Sequence, residues 1–202
     1  MGDGLWTALY DEEPGGRAPA PGVLRLVQAF INTVDIEAAN DGFADPAAVR
    51  SWFLGQGLIS PRARVGDTDR RLAIATREAL RDVVGANTGA RVAPSSIRIL
   101  NRIGRSGVTV RFEANGRARF VANRSNLVGG LASILAAVER SMAEGTWPYL
   151  KVCRRDACRW VFYDRSKNHS GSWCTMAVCG SRTKAASYYA RTTRAAGEPG
   201  RT

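Results

Sequence analysis

The sequence predicts an α+β chain, in which helices and a three-stranded antiparallel meander precede a small four-cysteine module. Apolar residues recur at helical spacing in the first half of the chain. Alternating β-branched and aromatic residues then surround Asn115-Gly116. All four cysteines lie between Cys153 and Cys179. We therefore predict an α+β domain over residues 22–146 and a separate module over residues 147–195.

Four segments have the apolar spacing of amphipathic helices. The first covers residues 23–39. A short helix follows, with Asp45 as its N-cap and Pro46 as its first residue. The third spans residues 68–84 and has an arginine-rich side. The fourth spans residues 127–144 and is expected to stop at Gly145.

Three consecutive segments have strand-like patterns. They are Ile97–Ile103, Val108–Ala114 and Arg117–Ala122. The last two flank Asn115-Gly116, a dipeptide typical of two-residue hairpin turns. The segments together predict the three-stranded antiparallel meander.

The two ends of the chain are predicted to be flexible: an arm over residues 1–21 and a tail over residues 196–202. The arm is rich in Gly, Pro and Ala and contains no apolar core of a signal peptide. No apolar run reaches the ~18 residues that a membrane helix needs. We therefore expect a cytoplasmic protein without membrane contact, whose thiols stay reduced.

The cysteines form two pairs of equal spacing, Cys153 with Cys158 and Cys174 with Cys179. Reduced thiols at such spacing favour one tetrahedral metal site over two disulfides. We expect one Zn²⁺ per chain, with an iron–sulfur cluster as the alternative that four cysteines leave open. His169, the single histidine, is interpreted as a loop residue because four thiolates complete the shell.

The flanking segments indicate how the cysteines are presented. The letters LKVC and CRWVFYD predict two strands joined by a tight knuckle that carries the first pair. The letters GSRTKAASYYARTTR predict a helix that begins at the second pair. A knuckle followed by a ligand-bearing helix is a treble-clef-like arrangement. Trp160, Phe162 and Trp173 are expected to form a small core around the metal rather than to stack on bases.

The segment WVFYDRSKNHSGSWCTMAVCGSR resembles the CGNR zinc finger in its cysteine pairs, in Asp164 and Ser166, in WC-x-M-A-x-C and in the Gly-x-Arg that follows. The letters FINTVD, DPAAVRSW and LAIATREALR resemble the ABATE domain, the usual companion of that finger. The family is regarded as bacterial transcription regulators, so the resemblance implies such a role.

This chain departs from the family pattern at two places. Ser181 stands where the family has Asn, and Gly171-Ser172 replaces a basic pair before Trp-Cys. None of these residues is a cysteine, so we expect an unchanged fold and altered nucleic-acid contacts.

The net charge of +11 is unevenly spread, and residues 150–202 hold 11 Lys and Arg against three acids. This asymmetry predicts a polyanion partner, which the resemblance implies is double-stranded DNA. The candidate DNA contacts are Lys184, Tyr188, Arg191 and Arg194 on the last helix, with Arg154, Arg155, Arg165 and Lys167 around the knuckle. Arg182 and Asp164 are expected to brace the finger. The alternative is a solvated helix face.

Polar residues also lie on the apolar helices of the first domain. They are Asn32, Asp35, Arg77 and Arg81. Buried polar groups need partners, so these residues predict either an internal network, with Asp35 pairing an arginine, or a bound small-molecule effector. In the second case Trp52 walls the pocket.

The leading functional hypothesis is a zinc-dependent DNA-binding transcription regulator whose first domain senses a ligand or forms a homodimer. The alternative is an RNA- or ribosome-associated module. No Ser-His-Asp set, HExxH, P-loop or dinucleotide fingerprint is found, and the single histidine lies outside the first domain. We therefore do not expect an enzyme.

Overall fold

Helices make up most of the first domain. A computed structural model describes residues 13, 15–122 and 125–185, without the side chain of Arg119. Its α-helices are α1 (Leu24–Ile31), α2 (Pro46–Gly55), α3 (Asp67–Gly85), α4 (Pro94–Gly107) and α5 (Leu127–Ala143). Short 3-10 turns follow α3, at Ala86–Thr88, and α5, at Trp147–Tyr149. None of the described helices is long and apolar enough to cross a membrane.

The strands form three two-stranded antiparallel sheets within the described residues. The pairs are β1 (Val34–Asp35) with β2 (Asn40–Asp41), β3 (Val108–Phe112) with β4 (Ala118–Ala122), and β5 (Leu150–Val152) with β6 (Val161–Tyr163). The predicted hairpin at Asn115-Gly116 is confirmed, with Val110 opposite Phe120. Gly116 takes a positive φ of 79°, which glycine adopts without strain.

The predicted three-stranded meander is wrong in its first strand, because residues 97–103 lie within α4. Pro94 occupies the first turn, where proline suits a helix. The residues turned inward are Ser96, Leu100, Ile103 and Gly107, of which Leu100 is half-buried. Their spacing of four, three and four residues is that of one helix face. The β-branched residues of the segment favoured the strand prediction over this helical spacing.

The other predicted helices are confirmed, although α1 is shorter than expected. Asp45 caps α2 by accepting the Ala48 N–H at 2.8 Å, and Gly145 follows α5 with a φ of 70°. After α1 the chain turns back, and the Gly42 N–H donates to the Thr33 carbonyl at 2.7 Å. A Cβ at Gly42 would lie 2.9 Å from that oxygen, so this approach needs glycine.

The C-terminal module shares the main core of the protein. Leu150 and Val161 are fully buried in the same cluster as Phe30, Leu131 and Ile134. Burial of apolar surface is the main favourable term in folding, so the two parts of the chain stabilise each other.

Polar side chains of the first domain fix the module in place. Asn32 donates from Nδ2 to the Val161 carbonyl at 2.8 Å and accepts the Val161 N–H at 2.9 Å. Gln28 donates to the same carbonyl at 3.2 Å. Asn87 donates to the carbonyls of Trp147 and Leu150, both at 2.9 Å. These hydrogen bonds therefore attach both β5 and β6 to the helices of the first domain.

Candidate metal centre and its surroundings

The first cysteine pair lies on a knuckle between β5 and β6. Cys153 follows β5, and its N–H donates to the Trp160 carbonyl at 2.9 Å. The Cys158 N–H donates to the Arg155 carbonyl at 2.8 Å, which closes the turn. Arg159 takes a φ of 51°, so the chain reverses sharply there. The short turn brings both thiols to the same side.

The second pair brackets the start of a helical segment. Thr175 caps it, since its Oγ1 accepts the Val178 N–H at 3.0 Å. The turn Met176–Gly180 is wide, and the Gly180 N–H bonds to the Thr175 carbonyl five residues back. Helical residues continue through 185. Cys174 and Cys179 are thereby held close together, as the treble-clef-like prediction requires.

The four sulfurs converge on one point, and their Sγ atoms all lie within 4.8 Å of one another. Cys174 Sγ lies 3.6 Å from Cys158 Sγ and 3.5 Å from Cys179 Sγ. A zinc ion with ~2.3 Å bonds places tetrahedral sulfurs roughly 3.8 Å apart, so the donor set fits one ion. All four cysteines are free, and a disulfide needs ~2.05 Å. A multi-iron cluster spreads its ligands further apart, because they bind different iron atoms.

The electrostatics of the cluster favour a cation at its centre. Hydrogen bonding from the Cys158 thiol lowers the pKa of Cys153, and the same contact raises the pKa of Cys158. One thiolate thus suppresses ionisation of its neighbours. A divalent cation reverses this balance, since each ligand binds as a thiolate. The prediction of one Zn²⁺ held by Cys153, Cys158, Cys174 and Cys179 is confirmed as a site for one metal ion.

A buried ion pair organises the loop between the cysteine pairs. Asp164 accepts from Lys151 Nζ at 2.7 Å, from the Ser166 N–H at 3.0 Å and from the Gly171 N–H at 2.7 Å. Burial would raise the pKa of Asp164, but these donors outweigh it and hold that pKa well below its usual range. His169 stacks against Tyr149 with ring centroids 4.0 Å apart.

Gly171, one of the two residues that replace the family's basic pair, is explained by its contact with Asp164. A Cβ at Gly171 would lie 2.9 Å from both oxygens of Asp164. Glycine therefore lets its own N–H reach the carboxylate at 2.7 Å. A larger residue at position 171 would have to displace the Asp164 side chain.

Glu37, which the sequence analysis missed, joins the first domain to the finger. Its carboxylate accepts two hydrogen bonds from Arg155, at 2.5 and 3.0 Å, and one from Arg182. These contacts, chiefly the one with Arg155, lower the pKa of Glu37. The Arg155 guanidinium also lies 3.9 Å from Cys179 Sγ. Arg155 and Arg182 thus connect the turn between β1 and β2, which contains Glu37, to the metal centre.

The predicted DNA contacts fall into three groups: residues exposed to solvent, residues held by other parts of the protein, and residues outside the described ranges. Arg154, Lys167 and Lys184 are exposed. Arg165 donates to the Pro19 carbonyl at 2.9 Å and lies over the Tyr163 ring. Arg155 is held by Glu37. The remaining predicted residues, Tyr188, Arg191 and Arg194, lie outside the described residues.

The aromatic residues near the metal pack inward. Phe162 is buried with three of the cysteines, and Trp160 and Trp173 pack on the same cluster. Trp160 donates from Nε1 to Glu13 at 2.7 Å, and Arg17 lies over the Phe162 ring at 4.9 Å. Described residues of the N-terminal arm therefore cover this small core.

The polar residues of the first domain form an internal network, but with a different acid from the one predicted. Arg77 donates bidentately to Asp41 at 2.6 and 2.9 Å and to Thr33 at 3.2 Å. Asp35 instead accepts the Ala38 N–H at 3.0 Å. Successive strand residues face opposite sides, and Asp41 pairs with Val34 while Asp35 pairs with Asn40. Only Asp41 therefore faces α3.

The other predicted effector-binding residues also have structural contacts. Arg81, 1% exposed, donates to the Ile31 carbonyl at 2.6 Å and to Glu78. It thus satisfies the C-terminal end of α1. Asn32 binds β6 as described above. Trp52 packs against Phe30 and Phe53, with centroids 5.5 and 5.0 Å away.

Two families match the chain. The ABATE model, described as "Putative stress-induced transcription regulator", matches residues 24–145, more than half of the chain. The model described as "CGNR zinc finger" matches residues 149–192. No curated protein matches the sequence. Both matches confirm the resemblance that FINTVD and the cysteine window indicated.

Proposed function

The chain belongs to the ABATE family and carries a CGNR zinc finger, and on this premise we propose that it is a zinc-dependent transcription regulator that binds double-stranded DNA. The proposal assigns it no catalytic activity. Zinc, when bound, is coordinated by the four cysteine thiolates and would hold the knuckle and the following helix together. The role of the four cysteines is therefore structural.

One observation carries the proposal: exposed basic side chains surround the metal centre. Arg154 lies on the knuckle, Lys167 in the loop and Lys184 on the following helix. None of the three has an ion-pair partner among the described residues. Unpaired lysines and arginines on one rigid module are suited to neutralising phosphates.

Binding to duplex DNA is tested by charge reversal. We expect Lys184→Glu with Arg191→Glu to weaken binding strongly, and the affinity of the parent to fall steeply with salt. The matched control is Arg62→Glu with Arg64→Glu, which alters two exposed arginines ahead of α3. Unchanged binding of the first variant at ~0.15 M salt would mean that the helix face is only solvated. Selection of genomic fragments by the zinc-loaded protein identifies the target.

An RNA-associated role is the second candidate, because a basic zinc module can also contact RNA phosphates. A competition assay distinguishes the DNA-binding role from the RNA-associated role. It compares the binding of single-stranded DNA, structured RNA and duplex DNA to the same protein. A preference for RNA would overturn the duplex proposal and retain the finger as the binding surface.

For the first domain we propose subunit pairing rather than effector sensing, because Arg77 and Arg81 are engaged internally. Val110, Phe112 and Phe120 lie on one face of the β3–β4 hairpin and are 55%, 75% and 48% exposed. Two-stranded hairpins gain stability from further packing. The adjoining groove between the hairpin, α1 and α5, about 1180 Å³, carries both signs of charge at Arg117 and Glu139. A rim of mixed charge suits a two-fold contact with a second copy.

Sedimentation velocity tests the pairing. We expect a dimer for the parent and a monomer for Val110→Ser with Phe112→Ser. The control is Thr109→Ser with Arg111→Ser, on the opposite face of the same strand. A monomeric parent at tens of micromolar would contradict pairing and leave the DNA proposal intact.

A further inference from the structure

Helix α4 carries a narrow stripe of arginines. Arg98, Arg102 and Arg105 are all exposed. At 100° per residue they fall within about 60° of the helix circumference. Their spacing of four and three residues spans about 10 Å along the axis. The helix contains no acidic residue between Pro94 and Gly107, so nothing within it offsets this charge.

The stripe has no ionic partner elsewhere in the described chain. No described carboxylate pairs with Arg98, Arg102 or Arg105. Arg77 and Arg81 on the neighbouring α3 are, in contrast, bound to Asp41 and Glu78. Like charges three and four residues apart oppose helix formation. The stripe therefore has a cost in stability that an anionic partner would offset.

A shared aspartate connects the first turn of α4 to the zinc finger. Asp82 on α3 accepts from Ser96 Oγ, in the first turn of α4, at 2.7 Å. The other oxygen of Asp82 lies 3.9 Å from the guanidinium of Arg159 on the zinc knuckle. The N-terminal turn of α4 thus lies beside the knuckle, which also carries the exposed Arg154. The knuckle and the start of α4 are therefore neighbours, and the stripe lies on the opposite, exposed side of α4.

We infer that α4 is a phosphate-contacting element of the first domain, in addition to the finger. This inference rests on the proposed function. Phosphates on one strand advance ~3.4 Å along the duplex axis, so a 10 Å stripe matches about three of them. A membrane-surface helix needs its apolar side in lipid. Here that side, with Ile103 at 1% exposure, lies in the protein core.

The test compares two triple variants of the full zinc-loaded chain. The first is Arg98→Gln, Arg102→Gln, Arg105→Gln. The control is Arg62→Gln, Arg64→Gln, Arg71→Gln, which removes the same charge from exposed positions around the start of α3. Each variant is titrated with a random duplex between 0.05 and 0.2 M salt, after circular dichroism has established parental melting.

We expect the α4 variant to lower the slope of log affinity against log salt by about 2.7, or 0.9 for each phosphate contact. Over this salt range its affinity then falls roughly 40-fold less than that of the parent, and the control variant keeps the parental slope. An α4 variant with the parental slope overturns the inference and leaves the proposed function standing. A parent that binds no duplex overturns both. Binding to anionic vesicles that only the α4 variant loses, with DNA affinity unchanged, also overturns the inference.

Discussion

At the scale of single residues, Asn32 has the clearest structural role. Its amide uses both a donor and an acceptor on the backbone of Val161, 129 residues away in the chain. Asn32 is 4% exposed, so water cannot replace these bonds. Removing one partner of a buried hydrogen bond leaves the other unsatisfied, which costs more than the bond itself contributes.

Asn32→Asp tests this role. The carboxylate still accepts the Val161 N–H but places an oxygen against the Val161 carbonyl, and we expect a loss of about 3 kcal/mol in unfolding free energy. Urea denaturation followed by tryptophan fluorescence measures the loss. The control, Asn101→Asp on the exposed face of α4, should stay within about 0.5 kcal/mol of the parent. Equal losses in the two variants would contradict a special role for Asn32.

The ion pair of Asp41 and Arg77 makes stability depend on pH. Hydrogen bonding from Arg77 holds the pKa of Asp41 below its ordinary value. A carboxyl group with a lowered folded-state pKa stabilises the protein fully above its unfolded pKa of about 3.9, and the contribution is lost as the pH falls through the folded value.

We therefore expect the difference in unfolding free energy between the parent and Asp41→Asn to be constant from pH 7 to pH 5 and to shrink below about pH 4. Urea titrations at each pH measure it. Comparing the two proteins at the same pH cancels the effect of acid on the thiolates, which both contain. A difference that stays constant to pH 3 would show that pairing with Arg77 does not lower the pKa of Asp41 in the folded protein.

At the scale of elements, α4 depends on two glycines with opposite surroundings. A Cβ at Gly104 would meet nothing within 4 Å. A Cβ at Gly107 would lie 2.5 Å from the Ala132 Cβ and 3.0 Å from the Val128 carbonyl oxygen, both on α5. The end of α4 therefore approaches α5 at a distance that only glycine permits.

The two alanine substitutions should move stability in opposite directions. Gly104→Ala should raise the unfolding free energy by up to about 1 kcal/mol, because alanine favours the helix and fits without contact. Gly107→Ala should lower it by about 1–3 kcal/mol through overpacking against α5. Thermal melts of both variants measure the change, and each is the control for the other. A stabilised Gly107→Ala would contradict the close approach of α4 and α5.

At the scale of the whole molecule, the strands that carry the metal centre pack in the main core, so we expect the two to fold cooperatively. Leu150 and Val161 belong to that core and also frame the knuckle that holds Cys153 and Cys158. Glu37 adds a second connection through Arg155. Loss of the metal should therefore affect residues far from the cysteines, because metal binding and folding are coupled.

Zinc removal tests this unity. We expect one zinc per chain by elemental analysis, and Cys174→Ser should lose the metal and melt at a lower temperature in a single transition that includes Trp52 of the main core. The control is Ser170→Ala, which alters an exposed residue of the same loop and retains zinc. A first domain that melts at the parental temperature in Cys174→Ser would contradict cooperative folding.

Features with local signals could be predicted from the sequence. Equal cysteine spacing predicted a single metal site, Asn115-Gly116 predicted a hairpin, and Asp45-Pro46 predicted a helix start. Each depends on residues within one turn or one knuckle, where backbone geometry leaves few alternatives.

The partners of residues far apart in the chain could not be predicted, because they depend on how the elements pack. Asp41 rather than Asp35 pairs with Arg77, because strand register sets the facing side. Residues 97–103 became helical because α3 and α5 bury the face that contains Ile103, and burial outweighs β propensity. Asn32 reaches Val161, and Glu37 reaches Arg155, across more than a hundred residues. No local spacing encodes such contacts, since they exist only once the chain has packed.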